Sequence, residues 1–147
     1  MASGRTNLEN LARAKQLNAE PPDEREIANL FAGAEAQLRD AGNAGLSAAS
    51  RFALAYNASH SLALVALRAR GYRPSSAGHR RMLFQVLDAT CGAPRELWMA
   101  LDRYHDRRNK TAYEGAAAAS ALEADDLTKL AGELKALVLK SLKRAGA

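Results

Sequence analysis

The segment Ser47–Gly71, with the sequence SAASRFALAYNASHSLALVALRARG, decides the fold of this chain. Apolar and small residues recur in it every three or four positions, which is the spacing of one face of an α-helix. These residues are Phe52, Ala55, Tyr56, Ser59, Leu62, Ala63 and Ala66. Ser47 or Ser50 can cap the start of this helix, and Gly71 can end it. Because the stripe is rich in small residues, we expect neighbouring helices to approach it closely.

Two helices are predicted before this segment. Thr6 with Glu9 makes a capping box, which predicts a short helix that runs to about Leu17. Asp23 can cap a second helix, which ends at Gly42. The second helix would bury one face, formed by Ile27, Leu30, Phe31, Ala34 and Leu38.

Three helices are predicted after it. One runs over residues 78–90 and ends at Gly92, and Pro94 then occupies the first position of the next helix. Ser120 with Glu123 is a capping box that starts the last helix. The last helix carries a near-heptad seam, formed by Leu127, Leu130, Leu134, Leu137 and Ser141.

Together these segments predict an all-α fold, with helix over more than two thirds of the chain and no β-sheet. We expect a four- to five-helix up-and-down bundle in residues 23–147. A short N-terminal helical arm occupies residues 1–22, because Pro21 and Pro22 stop the first helix. The composition agrees, since aromatic residues make up only 5% and runs of alternating β-branched residues are absent.

Charge and cysteine content narrow the possible environments and partners. The net charge of +5 and the pI near 9.7 favour phosphate-bearing partners such as RNA. The charges are spread over several helices, however, which is also typical of an ordinary solvated surface. Cys91 is alone and cannot form an internal disulfide, and no stretch reads as a signal peptide or a bilayer span. We therefore expect a cytoplasmic protein with no membrane partner.

Most enzyme and metal-site templates fail on this sequence. The three histidines, His60, His79 and His105, lack partners at metal-binding spacing, so we expect no metal and no cofactor. There is no Gly-rich phosphate loop, no nucleophile elbow and no pair of carboxylates on an apolar face. Asp125 and Asp126 lie in the first turn of the last helix, where negative charge complements the helix dipole. We interpret both as structural.

Residues 102–114, DRYHDRRNKTAYE, are the exception. At about 100° per residue, Arg108 returns to within about 20° of Leu97 and Leu101 on the helix surface. An arginine is thus predicted on the buried stripe, where an unpaired guanidinium would be costly. It should face a carboxylate, a partner chain or a polar cleft. The alternative is that the helix ends near Arg107 and that Arg108 points into water.

The same residues resemble the active-site motif of the HEPN superfamily (higher eukaryotes and prokaryotes nucleotide-binding). That motif is an arginine, commonly followed by asparagine, with a histidine four to six residues later near the end of a late helix. Arg108 and Asn109 match its first part, and Tyr113 takes the place of the histidine. The resemblance covers residues 23–144 and includes the second helix and turn of one bacterial branch, matched by Arg51, Ala55, Tyr56, Asn57, Gly71, Tyr72 and Arg73.

Membership in this superfamily implies α-helical bundles and a homodimer whose motif residues from both subunits line a cleft. Many members are metal-independent endoribonucleases, often toxins encoded beside a nucleotidyltransferase antitoxin. In that reaction Arg108 would stabilise charge on the phosphate while a base takes the proton of the ribose 2′-hydroxyl. Tyr113 is a poor base, because a phenol has a pKa of about 10. His105 is the nearby alternative, although we interpret it first as a partly exposed surface histidine.

Three hypotheses for function follow. The first is a HEPN-like homodimer that binds a nucleotide, RNA or a protein partner through the cleft around Arg108, with weak or no catalysis. The second is an active ribonuclease of toxin–antitoxin type whose base is His105, His79 or Tyr113. The third is a structural helical interaction module whose N-terminal arm and last helix recruit another protein, with the leucine seam as the binding face. The candidate catalytic residues are Arg108, Asn109, Tyr113 and His105, and the candidate ligand-binding residues are Arg103, Tyr104, Arg107 and Lys110.

Overall fold

The computed structural model describes residues 2–75, 80–113 and 117–145 and is mostly helical. In chain order its elements are α1 (Ala2–Arg13), β1 (Leu17–Ala19), α2 (Glu24–Ala41), α3 (Ala48–Ala69), β2 (Tyr72–Pro74), α4 (Arg80–Gln85), α5 (Leu87–Cys91), α6 (Arg95–Tyr113) and α7 (Ala121–Ala145). The helices hold more than two thirds of the described residues, which confirms the predicted all-α class. Within those residues, no helix is long and apolar enough to cross a membrane.

Helix α3 is the centre of the structure and packs mainly against α2 and α7. Every residue of the predicted stripe, from Phe52 to Ala66, is buried. Ala58, Val65 and Leu67 lie outside that stripe and are also buried, so α3 is covered on more than one face. The prediction that other helices approach α3 closely is therefore confirmed.

Three of the predicted helix starts have the expected capping bonds. The Asp23 carboxylate accepts a hydrogen bond from the backbone N–H of Glu26 at 3.1 Å, and the Ser47 hydroxyl caps α3. At α7 the capping box is reciprocal. The N–H of Glu123 donates to the Ser120 hydroxyl at 3.1 Å, and the N–H of Ser120 donates to the Glu123 carboxylate at 3.0 Å.

The leucine seam of α7 faces the core. Leu127 and Leu134 are fully buried, together with Ala131 and Val138, and Ser141 is nearly so. This face packs against α3, α5, α6 and α2 of the same chain. These residues of the seam therefore belong to the core, whereas Leu130 and Leu137 of the same seam are half-buried.

The prediction of no β-sheet is wrong. Strands β1 and β2 pair in antiparallel register, with Leu17 opposite Pro74 and Ala19 opposite Tyr72. The predicted first helix is also shifted, because α1 already begins at Ala2 and ends at Arg13, so the capping box at residue 6 does not start it. After α1, Lys15 takes a left-handed conformation with φ of 62°, which turns the chain into β1.

The helix predicted over residues 78–90 is two short helices. Val86, with φ of −100° and ψ of 8°, interrupts the run between α4 and α5. Gly92 ends α5 in the left-handed conformation, as predicted. The carbonyl of Pro94 accepts the first backbone hydrogen bond of α6, from the N–H of Leu97 at 3.0 Å, so this start is within one residue of the prediction. Gly78 lies outside the described residues.

A fully buried arginine, Arg68, joins the small sheet to the helical core. Its guanidinium donates to the Glu26 carboxylate at 2.6 Å. It also donates to three backbone carbonyls, those of Pro21 at 2.8 Å, Glu20 at 3.1 Å and Tyr72 at 3.2 Å. Because a buried charge without partners is costly, Arg68 needs these bonds, and they connect β2 and the segment after β1 to α2 and α3.

A second arginine completes this network. Arg73 on β2 bonds the carboxylates of Glu26 at 2.6 Å and Glu20 at 2.9 Å. The hydrogen bonds from Arg68 and then Arg73 lower the pKa of Glu26 below its usual value. Gly71 makes the turn from α3 into β2 with φ of 87°, and its carbonyl accepts from the N–H of Glu20 at 2.9 Å.

We predict that Arg68→Ala lowers the free energy of unfolding by about 3–5 kcal/mol, because it leaves three carbonyls without their donor and removes one of the two arginines that bond the Glu26 carboxylate. Urea unfolding followed by circular dichroism measures this. Arg25→Ala is the matched control, since Arg25 is exposed on α2 beside Glu26, and it should change stability by less than about 0.5 kcal/mol. Equal losses of stability in the two variants would contradict the structural role assigned to Arg68.

Candidate functional site

Arg108 lies on the same face of α6 as the buried residues of this helix. Leu97, Leu101 and His105 are buried at four-residue spacing, and Arg108 follows on the next turn, where it is half-buried. The helix continues to Tyr113. The alternative that α6 ends near Arg107 and leaves Arg108 in water is therefore wrong.

Arg108 lies against the aromatic face of Tyr56 from helix α3. The guanidinium carbon is 5.1 Å from the centroid of the tyrosine ring, which is cation–π geometry. Both residues line a pocket of about 250 Å³, whose other walls are Ala49, Phe52, Ala53, Asn57, Thr111 and Ala119. The pocket thus combines a cation, two aromatic rings, an amide and a hydroxyl.

His105 is the residue whose environment differs most from the prediction. It is only 8% exposed, so the interpretation as a partly exposed surface histidine is wrong. Its Nδ1 is 2.8 Å from the Tyr56 hydroxyl, and its Nε2 is 3.2 Å from Nδ2 of Asn109. Phe84 from α4 meets both the His105 and the Tyr56 rings edge to face, at centroid distances of 6.2 Å. The burial comes from α3 and α4, which the local sequence around His105 does not reveal.

Arg107 makes structural contacts that connect α6 to the start of α7. Its guanidinium bonds the Glu123 carboxylate at 2.7 Å and the carbonyl of Ala117 at 2.8 Å. It also reaches the carbonyl of Ala118 at 3.2 Å and the Thr111 hydroxyl at 2.8 Å. These bonds fix the last residues before α7 and the first turn of that helix. Arg107 is not among the residues that line the Arg108 pocket.

Tyr104 also ties α6 to α7. Its hydroxyl donates to the Asp126 carboxylate at 2.7 Å, and its ring meets Phe52 edge to face at 5.7 Å. Burial raises the pKa of Tyr104, and the neighbouring carboxylate of Asp126 raises it further. Asp125 pairs with Arg51 of α3 at 2.5 Å, so both aspartates at the start of α7 have structural bonds.

The remaining predicted site residues divide into two groups. Arg103 and Lys110 are exposed on α6 and do not line the pocket. Tyr113 is the last residue of α6, but its side chain lies outside the described part of the structure, as does the whole of His79. The structure therefore places Arg108, Asn109 and His105 together and gives no position for the tyrosine that replaces the motif histidine.

Tyr56, Asn57 and Thr111 line the pocket but are absent from the site residues predicted from sequence. Tyr56 and Asn57 come from α3, about fifty positions before Arg108, and only packing brings the two helices together. A signal for the first two exists, because they belong to the stretch that resembles the second helix of a HEPN branch. Thr111 has no such signal beyond its place one turn after Arg107.

The arrangement suits recognition of an anion, since Arg108 brings a donor fork to the wall of the pocket. Among the described residues, no group of three or more histidine, cysteine, aspartate or glutamate side chains could hold a metal. Comparison of the chain with protein-family models, with curated proteins and with solved structures found no match. The geometry of the site therefore carries the functional argument.

We predict that the Arg107–Glu123 pair stabilises the fold at neutral pH and loses this effect in acid. The hydrogen bond from Arg107 lowers the pKa of Glu123 from 4.5 to about 2. A depressed folded-state pKa gives stability that is present above pH 4.5 and is lost as the pH falls towards 2. Glu123→Gln should cost about 1 kcal/mol at neutral pH and progressively less below it.

Urea unfolding of the wild type and of Glu123→Gln at a series of pH values between about 2 and 7 tests this prediction. Glu133→Gln is the matched control, because Glu133 is exposed on the same helix. A stability difference between wild type and Glu123→Gln that does not vary with pH would contradict the predicted role of the ion pair.

Proposed function

We propose that this chain is a HEPN-like protein that binds a phosphate-bearing ligand, a nucleotide or RNA, in the Arg108 pocket. The observation that supports this proposal is the half-buried guanidinium of Arg108 resting on the Tyr56 ring at the wall of that pocket. Its guanidinium lies over this aromatic face, and the exposed Asn57 lines the same pocket.

The chemistry of the pocket matches the two parts of a nucleotide. Arginine binds phosphate oxygens through two parallel N–H donors, which a lysine cannot reproduce. Phe52 and Tyr56 form the buried aromatic wall of the pocket, and the exposed Asn57 amide offers hydrogen bonds to the edge of a base. The net charge of +5 would also draw a polyanion towards the protein.

Slow or absent catalysis is part of this proposal. Both ring nitrogens of His105 already bond within the protein, to Tyr56 and Asn109, so this histidine is poorly placed to take a proton from a ribose hydroxyl. A phenol, with an ordinary pKa of about 10, is a poor base near neutral pH, so Tyr113 is a poor replacement for the motif histidine. The active ribonuclease is therefore the second hypothesis. The RNA cleavage assay described below tests for its activity.

The assembly proposed with this function follows the family resemblance. Helices α2, α3, α6 and α7 would form the up-and-down bundle, with α4 and α5 as a short connection. Two chains would pair with α6 at the interface, so that two Arg108 pockets face one cleft. The protein would act in the cytoplasm, and a nucleotidyltransferase antitoxin would be its partner if the ribonuclease alternative held.

We predict that Arg108→Ala weakens binding of a fluorescein-labelled single-stranded RNA by about 10- to 100-fold, because a hydrogen-bonded charged pair contributes about 1.5–3 kcal/mol. Fluorescence anisotropy at fixed salt measures the affinity, and light scattering on the same samples measures the mass of the assembly. Arg25→Ala is the charge-matched control, since Arg25 is exposed at the opposite end of the α2–α3 pair. Equal losses in both variants would show general charge attraction and would contradict a specific site.

A second prediction concerns cleavage of the same RNA in EDTA. The wild type should cleave slowly or not at all, and Tyr113→His should raise the rate, since a placed general base contributes about 10²–10⁴. The double variant Tyr113→His with Arg108→Ala should lose this gain. Fast cleavage by the wild type that disappears in His105→Ala would instead establish the ribonuclease, with His105 as its base.

A further inference from the structure

The amide of Asn109 lies between two partners that require opposite ends of it. Nη1 of Arg108 is 3.4 Å from Oδ1 of Asn109, a long contact, and a guanidinium carries only donors. Nδ2 of Asn109 is 3.2 Å from Nε2 of His105. If the amide were turned over, its NH₂ group would face the donors of Arg108. The arginine therefore orients the Asn109 oxygen towards itself and the NH₂ group towards the histidine.

This orientation assigns the proton on His105. The Asn109 NH₂ group can only donate, so Nε2 of His105 must accept and carries no hydrogen. In a neutral imidazole the proton then resides on Nδ1. Nδ1 is 2.8 Å from the Tyr56 hydroxyl, so the histidine donates and the tyrosine oxygen accepts. A protonated imidazolium would place an N–H against the NH₂ group of Asn109 and is disfavoured by the same contact.

The bond from His105 fixes the ring that carries the arginine. Tyr56 is 1% exposed, and its ring contacts the edge of Phe84 in addition to the bond at its hydroxyl. The face of this ring supports the Arg108 guanidinium. The contacts thus close a loop from Arg108 through Asn109, His105 and Tyr56 back to Arg108. Each member orients the next.

We propose that His105 is a positioning residue, locked by Asn109 as the neutral Nδ1–H tautomer, and that it holds Tyr56 as the platform for Arg108. The functional half of this inference rests on the proposed anion-binding role of Arg108. The histidine does not touch the ligand. It acts through the tyrosine, and its state is set by an asparagine from the next turn of the same helix.

The tautomer is tested on the free protein, independently of any ligand. A long-range ¹H–¹⁵N spectrum of protein labelled with ¹⁵N-histidine distinguishes protonated from unprotonated ring nitrogens, and His105→Gln assigns the signals. For the wild type at about pH 7.5 we expect protonated Nδ1 and unprotonated Nε2. Asn109→Asp should change Nε2 from unprotonated to protonated, because a carboxylate can only accept hydrogen bonds and requires a proton on the nitrogen that faces it. A wild-type ring protonated at Nε2, or an Nε2 unchanged in Asn109→Asp, would overturn the proposal.

The positioning role is tested with labelled RNA as the probe. Tyr56→Phe keeps the ring but removes the oxygen to which His105 donates, and it should weaken RNA binding about fivefold, the loss of one net hydrogen bond. The control, Tyr72→Phe, removes a hydroxyl on β2 and should leave the affinity unchanged. Unchanged affinity in Tyr56→Phe, with the wild type binding RNA and sensitive to Arg108→Ala, would overturn the positioning role alone.

The two proposals fail in different ways. If the wild type bound no RNA, the proposed function would fall and the positioning role with it, while the tautomer spectrum would still decide how His105 is held. A Tyr56→Phe protein that had lost its fold would be recognised by circular dichroism. In that case the NMR signal of Arg108 in the wild type tests whether Tyr56 is its platform. The Nε–H resonance of Arg108 should show an upfield ring-current shift from the Tyr56 ring. An unshifted resonance would overturn the platform.

Discussion

The pairing of the buried guanidinium of Arg68 is the constraint on which the rest of the structure depends. A charge with no exposure to water needs partners for all its donors, and here they come from α2, from the segment before it and from the start of β2. Meeting that need fixes the N-terminal residues against the end of α3. With α3 placed, its covered faces receive α2 and α7, and α6 then brings its own arginine against the opposite half of the same helix.

Much of the helical framework could be predicted from sequence because its signals are local. A capping side chain bonds a backbone N–H two or three residues away, so Asp23, Ser47 and Ser120 were sufficient to predict three helix starts. The buried stripe of α3 is likewise a matter of spacing. The short sheet had no such signal, because three-residue strands are too short to alternate, and Arg68 pairs with residues more than forty positions away. The break at Val86 is equally invisible in the apolar spacing around it.

The candidate site shows the same division between local and distant causes. The position of Arg108 follows from helical periodicity, since residues eleven and seven positions apart share a face. The environment of His105 does not, because its burial depends on Tyr56 and Phe84 from two other helices. Arg107 and Arg108 are adjacent and chemically identical, yet one closes the start of α7 and the other lines a pocket. Their roles differ because the Arg107 side chain reaches α7 and the Arg108 side chain lies against α3.

The N-terminal part of α7 is held by side chains from elsewhere in the fold. Arg51 of α3 and Tyr104 and Arg107 of α6 bond three acidic residues near the start of this helix, Asp125, Asp126 and Glu123 respectively. The position of α7 is thus set in part by side chains of α3 and α6. A substitution at Arg51, Tyr104 or Arg107 therefore acts on a helix that lies in a different part of the chain.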